Sequence, residues 1–311
     1  MNKESIRKFI LNHTITRELF FIIGQRKVNL KKIDKAIEKN KISLSKTVEK
    51  DLVVSLTSYG QRLEELHYTL FSLVNQTIAP EKIIVNISYD DEKYITDKLK
   101  LFTNYGVEYN FCEDIRSFKK LIPTMQKYSD KTIVTVDDDM YYEKDWLESL
   151  WNRHLECPNM IVAHNIYKIN YSDATLLPYD KWPHSIVTKD INYKNFFVGC
   201  GGVLYPSNAL YNDFDNKTLY QNLTPIADDI WFYFMAYLKG TKITQPNKPH
   251  IKFHYVNPYR EYGIINGKTL TQENVMLGKN DEQFKNVLSY YNISEEDFIK
   301  SIEKEYEETN D

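Results

Sequence analysis

The sequence lacks the glycine-rich loops that identify the commonest nucleotide-binding folds. Only 10 of its 311 residues are glycine. No Gly-x-Gly-x-x-Gly follows the first predicted strand, and no Gly-x-x-x-x-Gly-Lys-Ser/Thr sequence occurs. The first absence disfavours a dinucleotide-binding fold, and the second disfavours a phosphate-binding loop of the Walker type.

Cysteines, long apolar runs and excess positive charge are also scarce. Cys112, Cys157 and Cys200 lack metal-binding spacing, so we expect them to be reduced and buried. No apolar run approaches the roughly 20 residues of a membrane-spanning helix, and no signal peptide opens the sequence, so we expect a cytoplasmic protein. A net charge of −3 and the lack of a basic recognition motif argue against a nucleic-acid partner.

Charge is spread unevenly between the two ends of the chain. Residues 1–50 carry 13 Lys/Arg against 5 Asp/Glu, whereas residues 281–311 carry 3 Lys against 10 Asp/Glu. A basic segment with apolar clusters can lie on an anionic surface, which would give peripheral contact with the inner face of the cell membrane. The alternative is a helical extension docked on its own domain.

Strands alternating with helices organise the first half of the chain. Runs rich in β-branched residues at 51–56, 82–87 and 107–111 predict strands, and leucines at helical spacing between Leu63 and Val74 predict a helix. This alternation indicates a mostly parallel central sheet built from right-handed βαβ units and flanked by helices. We therefore predict a Rossmann-type α/β sandwich, with helical extensions at both ends.

The next predicted strand ends in three consecutive carboxylates. Residues 132–136 form a β-branched run that stops at Asp137, Asp138 and Asp139. Ligands of open α/β sheets bind beyond the carboxyl ends of the strands, and oxygen-only ligands suit Mg²⁺ or Mn²⁺. The triplet is therefore a candidate metal site. The alternative is an acidic turn that caps a helix beginning near residues 144–146.

Two features of the second half are candidates for a ligand site. Residues 196–206 are strand-like but contain Gly201 and Gly202, and glycine in a strand permits close approach of a ligand or another backbone. A bulge or tight sheet contact is the alternative for these glycines. Asp228 and Asp229 precede an apolar helical stretch; one is expected to cap that helix and the other to face a ligand.

The order of these features resembles the glycosyltransferases of the A-type fold, which are nucleotide-sugar-dependent enzymes with an Asp-x-Asp motif. The resemblance covers residues 51–255. Ser55-Leu56-Thr57-Ser58-Tyr59 with Arg62, and Phe118-Lys119-Lys120-Leu121-Ile122-Pro123, are similar to segments of bacterial capsule and cell-surface polysaccharide enzymes. The resemblance implies a nucleotide-binding half at 51–142 and a sugar- and acceptor-binding half at 143–255. A basic helical extension at 1–50 precedes these halves, and a segment at 256–311 with an acidic helical tail follows them.

The resemblance also implies roles for individual residues. Asp139 and Asp137 would bind the ion, Mn²⁺ or Mg²⁺, that bridges the two donor phosphates and stabilises the leaving diphosphate. His254 is a further candidate ligand, since such enzymes often use a C-terminal histidine; if 250–254 is a strand, His250 and His254 share a face. Asp229, ahead of Asp228, is the implied catalytic carboxylate, either as general base or as support for oxocarbenium charge. The donor-binding candidates are Thr57, Arg62, Lys119, Lys120, Asp137, Asp138, Gly201 and Gly202. Composition alone, rather than the resemblance, makes His164, Trp182, His184 and Trp231 candidates for lining the acceptor site.

The expected function is metal-dependent transfer of a sugar from a nucleotide-sugar, by expectation UDP-linked, to a hydroxyl of a glycan or lipid-linked glycan. A sugar nucleotidyltransferase would need a Gly-rich, Arg-containing loop after the first strand, whereas residues 57–62 contain one glycine. A haloacid-type phosphatase would carry Asp-x-Asp-x-Thr after its first strand. A non-catalytic carbohydrate- or nucleotide-binding protein is the remaining alternative, but it gives no reason for three carboxylates at a strand end.

Overall fold

A seven-stranded mixed sheet forms the centre of the molecule and confirms the predicted α/β class. The computed structural model describes residues 28–45, 47–261 and 278–308. The strands are β1 (Val48–Thr57), β2 (Ala79–Ser88), β3 (Val107–Cys112), β4 (Thr132–Thr135), β5 (Ile161–Ala163), β6 (Ile166–Lys168), β7 (Tyr171–Ser172), β8 (Thr175–Leu176), β9 (Asn195–Phe197), β10 (Val203–Tyr205) and β11 (Ile243–Thr244).

The order of strands in the central sheet is β11-β5-β10-β4-β1-β2-β3. β1 pairs in parallel with β2 and β4, β2 with β3, and β5 with β11, whereas β10 runs antiparallel to both β4 and β5. Because β10 is reversed, its first residue, Val203, pairs with Thr135 at the end of β4. The chain entering β10 therefore lies at the same edge as the carboxyl ends of β1 to β4.

Helices cover both faces of this sheet. They are α1 (Leu30–Glu38), α2 (Leu66–Val74), α3 (Asp97–Leu101), α4 (Ile122–Lys127), α5 (Trp146–Glu156), α6 (Lys217–Leu223), α7 (Asp228–Lys239), α8 (Pro258–Glu261), α9 (Lys279–Tyr290) and α10 (Glu295–Glu308). Neighbouring residues of β4 point to opposite faces: Ile133 packs with α7 and α9, and Val134 packs with α1, α2 and α5. Each face thus buries its own hydrophobic cluster.

Both terminal helices that the structure describes pack on the sheet. In α1, Ile33 and Ile37 are buried in the same cluster as α2, so the docked alternative holds for this helix. Residues 1–27, which carry most of the apolar clusters proposed for membrane contact, lie outside the described residues. Phe284 of α9 and Phe298 of α10 belong to the cluster around α7, so the C-terminal segment shares the core of the central domain. Within the described residues, no helix is long and apolar enough to cross a bilayer.

Two sequence-based predictions of strands require correction. Residues 196–206 are two strands rather than one: β9 pairs with β6 in a separate two-stranded sheet, and β10 joins the central sheet. The left-handed conformations of Gly201 and Gly202 turn the chain between them. The segment from His250 to His254 is not a strand, so a shared face of those two histidines has no basis in strand geometry.

Candidate functional site

The carboxylates singled out in the sequence come together at the carboxyl edge of the sheet. Asp137, Asp138 and Asp139 follow β4, and Asp228 and Asp229 form the first turn of α7. Lys120 connects the two groups, because its Nζ lies 3.2 Å from Asp137 Oδ1 and 3.5 Å from Asp228 Oδ2. Five carboxylates thus share one region of the fold.

Asp138 points into the protein and binds Arg62. The Arg62 guanidinium donates to both Asp138 oxygens, with its Nη2 2.5 Å from Oδ1 and its Nε 3.0 Å from Oδ2, and Ser58 Oγ donates to Oδ2 at 2.5 Å. The same Arg62 Nη2 donates to Asp139 Oδ2 at 2.8 Å. Arg62 therefore holds the loop after β1 against the acidic triplet, and these carboxylates raise its pKa even though burial opposes the charge. Asp138 anchors the loop.

Asp137 and Lys120 form the central ion pair of the site. Burial raises the pKa of Asp137 to about 6, and the nearby Asp139 adds to this, although Lys120 opposes it. A quarter of the Asp137 side chain remains accessible to solvent. Burial disfavours the charge on Lys120, but Asp137, Asp228 and Asp229 outweigh that effect and raise its pKa. Lys120 is thus a fixed cation among carboxylates.

Asp229 has the most perturbed carboxylate of the cluster. Burial, reinforced by the neighbouring Asp228, raises the pKa of Asp229 to about 7, against the opposing effects of Lys120 and the Gly199 amide. A Cβ at residue 199 would lie 2.6 Å from Asp229 Oδ1 and 3.0 Å from Lys120 Nζ, so only glycine permits this approach. Sequence reasoning missed the role of Gly199, whose signal was its position three residues before Gly202 in the same glycine-rich segment.

The close approach that Gly201 and Gly202 permit is made by aromatic side chains. A Cβ on Gly202 would lie 2.2 Å from Trp146 Cζ2, and one on Gly201 would lie 2.5 Å from Phe253 Cε1. Trp146 Nε1 also donates to the Gly201 carbonyl at 2.7 Å. Both glycines therefore permit a tight contact within the protein, which was the alternative to close approach of a ligand. These contacts fix α5 against the turn before β10.

We expect Gly202→Ala to destabilise the fold by about 3 kcal/mol. The added methyl would overlap the buried Trp146 indole, and φ of +105° strains any residue with a Cβ. Urea unfolding of the variant measures the loss. Gly240→Ala is a matched control, because its φ is also positive (+84°) but its added Cβ would meet only the Tyr193 hydroxyl at 3.7 Å. An equal loss in the two variants would contradict the packing argument.

Two of the proposed donor-binding residues point elsewhere. Lys119 is 2% exposed and its Nζ donates to Asp114 at 2.7 Å, so the ammonium serves the loop after β3. Thr57 Oγ1 donates to the Asn86 carbonyl at 2.8 Å and joins the ends of β1 and β2. The structure therefore brings Lys120, but neither of these side chains, to the cluster around Asp137.

His254, which was expected to bind a metal ion together with Asp137 and Asp139, lies beside Glu143 instead. Its Nε2 is 3.4 Å from Glu143 Oε1, and its backbone carbonyl accepts from the Tyr141 amide. Three of the residues proposed to line an acceptor site are parts of the core, with His164 and Trp231 fully buried and Trp182 4% exposed. Burial lowers the pKa of His164 to about 3, which keeps that imidazole neutral.

The acidic triplet offers ligands that fit a divalent ion. Asp139 Oδ1 makes no hydrogen bond to another described residue, while Asp139 Oδ2 is bound by Arg62. Asp228 Oδ2 is buried and makes no hydrogen bond to any described residue, although Lys120 Nζ lies 3.5 Å away. Carboxylate oxygens from Asp137 and Asp139 suit Mn²⁺ or Mg²⁺, which bind through one or two carboxylates completed by water and phosphate. The helix-cap alternative is not supported, since Asp145, not the triplet, precedes α5.

Comparisons with known proteins find similarity of fold. No protein-family model matches the chain, and no curated protein matches it in sequence. Its structure is similar to that of 4-diphosphocytidyl-2C-methyl-D-erythritol synthase from Anaerococcus prevotii DSM 20548, with 15% identity and a TM-score of 0.43 over 75% of this chain and 96% of that chain. It is also similar to residues 1–349 of S. aureus TarS, with 13% identity and a TM-score of 0.46 over 78% and 72% of the two chains.

The mixed sheet and its flanking helices confirm the Rossmann-type α/β sandwich expected from the sequence. Identities and TM-scores this low say nothing about chemistry. The reaction has to be inferred from the side chains at the carboxyl edge of the sheet.

Proposed function

We propose that this chain is a metal-dependent glycosyltransferase that moves a sugar from a nucleotide-sugar, with UDP the favoured nucleotide, to a hydroxyl of a glycan acceptor. The observation that carries the proposal is the position of Asp229. Its pKa of about 7 belongs to a carboxylate that can take up a proton near neutral pH, and Lys120 pairs with both Asp228, the neighbour of Asp229, and Asp137 of the acidic triplet. A general base beside a candidate diphosphate site is the arrangement that glycosyl transfer with inversion requires.

The divalent ion would be held by Asp137 and Asp139 and would supply a Lewis acid for the departing diphosphate. Asp229 would accept the proton of the attacking hydroxyl, and the Gly199 amide orients its carboxylate. Lys120 keeps positive charge between the two carboxylate groups while the reaction proceeds. Asp138 and Arg62 have a structural role, because their hydrogen bonds hold the loop after β1 in place.

The hydrogen bonds of Arg62 favour transfer of a sugar over transfer of a nucleotidyl group. A nucleotidyltransferase would need an arginine after β1 to bind the phosphates of a nucleoside triphosphate. In this chain Arg62 is bound to Asp138 and Asp139 through three hydrogen bonds of 3.0 Å or less. Its guanidinium is therefore already neutralised by the protein. A glycan or lipid-linked acceptor and contact with a membrane remain predictions from the sequence.

We expect nucleoside diphosphates to stabilise the protein only when Mn²⁺ or Mg²⁺ is present. At a ligand concentration 100 times the dissociation constant, binding adds about 2.7 kcal/mol to the free energy of unfolding. A thermal-shift panel of nucleoside diphosphates and nucleotide-sugars, each with the ion or with EDTA, measures this effect. Asp139→Asn should abolish the metal-dependent part of the shift, because the variant loses one carboxylate charge from the proposed site.

Asp215→Asn is the matched control, because this carboxylate accepts a bond from Gln126 outside the cluster. The control should keep the full shift. The same shift in EDTA, or an unchanged shift in Asp139→Asn, would contradict a metal bound by the triplet. If no nucleotide binds under any condition, the proposed function is wrong.

A further inference from the structure

A second group of potential metal ligands lies outside the acidic triplet. Glu143, Asp145 and His250 each offer one ligand atom, and these three atoms lie within 4.8 Å of one another. His250 Nδ1 is 3.2 Å from Glu143 Oε2, and His250 Nε2 is 3.5 Å from Asp145 Oδ1. The nitrogen and oxygen donors come from two separate parts of the chain, the approach to α5 and the segment after β11.

The three ligand atoms, which lie within 4.8 Å of one another, would have to move somewhat closer together to bind a zinc ion. Tetrahedral zinc with ligand bonds of about 2.0–2.1 Å places neighbouring ligand atoms about 3.3 Å apart. One neutral imidazole and two carboxylates would neutralise a divalent ion, and a mixed nitrogen and oxygen set selects transition metals rather than Mg²⁺ or Ca²⁺. Small side-chain adjustments would let Glu143, Asp145 and one nitrogen of His250 face a common centre.

The residues around the cluster leave the carboxylate of Asp145 available and hold the backbone of His250 in place. Asp145 precedes α5 but makes no side-chain capping bond, so its carboxylate is not used by the helix. His254 is 9% exposed, and its Nδ1 is buried without a hydrogen-bond partner while its Nε2 faces Glu143. The His250 amide donates to His164 Nδ1 at 3.0 Å, which fixes the backbone of the histidine ligand. The arrangement is supported from the core.

A small cavity adjoins these side chains. Its volume is about 10 Å³, which is close to the space that one water molecule occupies, and Glu143, His250 and His254 contribute to its wall. Lys252 also contributes to the wall but is an exposed residue, so its ammonium can extend into solvent. None of the three triplet carboxylates, all within the described residues, lines this cavity. The two candidate metal sites are therefore separate.

We propose that Glu143, Asp145 and His250 bind one zinc ion, with water as the fourth ligand and His254 positioning Glu143. The ion would tie the segment after β11 to the start of α5. Trp146, the first residue of α5, bonds the Gly201 carbonyl, so the ion would also brace the turn that leads into β10. This site does not depend on the proposed glycosyl transfer.

The test is zinc binding by the full chain after removal of any affinity tag and dialysis against a chelator. Calorimetric titration with Zn²⁺ and the visible absorption of the Co²⁺-substituted protein report the site without reference to activity. We expect one zinc per chain and a nitrogen- and oxygen-ligated Co²⁺ spectrum. Asp145→Asn and His250→Ala should weaken binding at least about tenfold, and His254→Ala by about 10- to 100-fold, as for other residues that orient a ligand.

Two variants separate this site from its alternatives. Asp139→Asn should keep full zinc affinity, because it changes only the triplet, and exposed His184→Ala controls for the loss of an imidazole. The proposal would be overturned if the protein bound no zinc or if His250→Ala kept its full zinc affinity. It would also be overturned if, of these variants, only Asp139→Asn lost zinc. Asp145 has a side chain that is 68% exposed, so Asp145→Asn remains informative even if His250→Ala fails to fold.

Discussion

Asp229→Asn is expected to lower kcat for sugar transfer by about 100- to 10,000-fold, because an amide cannot accept the proton of the acceptor hydroxyl. Binding of the nucleoside diphosphate should remain, since the triplet is unchanged. Steady-state kinetics and the thermal-shift panel together separate these two effects. Asp173→Asn is the matched control, because Asp173 is exposed and asparagine tolerates its positive φ of 52°. Transfer retained by Asp229→Asn would move the catalytic role to another residue.

The dependence on pH provides a second readout of the same carboxylate. Asp229 must be ionised to act as a base, so the rate of the wild-type protein should rise with pH and level off above its pKa of about 7. The pKa is raised on folding from an ordinary value of 3.8, so the folded state binds the proton more tightly. Asp229 therefore lowers stability progressively as the pH rises from about 4 to about 7. At pH 8, Asp229→Asn should be more stable than the wild type by about 1–2 kcal/mol. A purely structural carboxylate would show the opposite change.

Arg62→Ala is expected to lower the free energy of unfolding by about 3–5 kcal/mol, the largest loss of stability expected of any side chain at the site. Removal of the guanidinium leaves Asp138 buried and without its main cationic partner, and an unpaired buried charge is costly. Urea unfolding at neutral pH measures the change. The ion pair of Lys100 with Asp97 gives the control. Lys100→Ala should have no measurable effect on stability, because the Lys100 and Asp97 side chains are 65% and 98% exposed.

A double variant distinguishes loss of the ion pair from loss of packing. Arg62→Met together with Asp138→Asn removes both charges and keeps much of the volume, so it should recover most of the stability that Arg62→Ala loses. If the double variant is as unstable as Arg62→Ala, the charge pair is not the cause. A small effect of Arg62→Ala would mean that Asp138 is solvated rather than anchored.

The sequence predicted those features that depend on local patterns. Runs of β-branched residues located β1 to β4, and the end of β4 just before the acidic triplet was expected because its β-branched run stops there. Asp228 and Asp229 were expected at the start of an apolar helix, and α7 begins there. The expectation that one of them caps this helix was wrong, because the N-cap is Ala227 and no side chain makes a capping bond. The carboxyl edge of a parallel sheet was the expected place for these groups, and the structure brings them together there.

The remaining features depend on long-range contacts that no local pattern encodes. The contact of Gly199 with Asp229 exists because β10 inserts antiparallel between β4 and β5, and glycines alone do not predict that topology. Lys119 and Lys120 are neighbours in a single short turn, yet the first faces Asp114 and the second faces Asp137. Arg62 pairs with a residue 76 positions away, a choice made by tertiary packing.

The most direct test of the proposed reaction is the identity of the phosphate product. The protein, with Mn²⁺, a nucleotide-sugar and a panel of glycan acceptors, should release the nucleoside diphosphate, and Asp229→Asn and EDTA should each suppress that release. Chromatography coupled to mass spectrometry distinguishes this product from inorganic pyrophosphate. Formation of pyrophosphate from a nucleoside triphosphate and a sugar phosphate, with no diphosphate released from any nucleotide-sugar, would contradict glycosyl transfer and identify a nucleotidyltransferase.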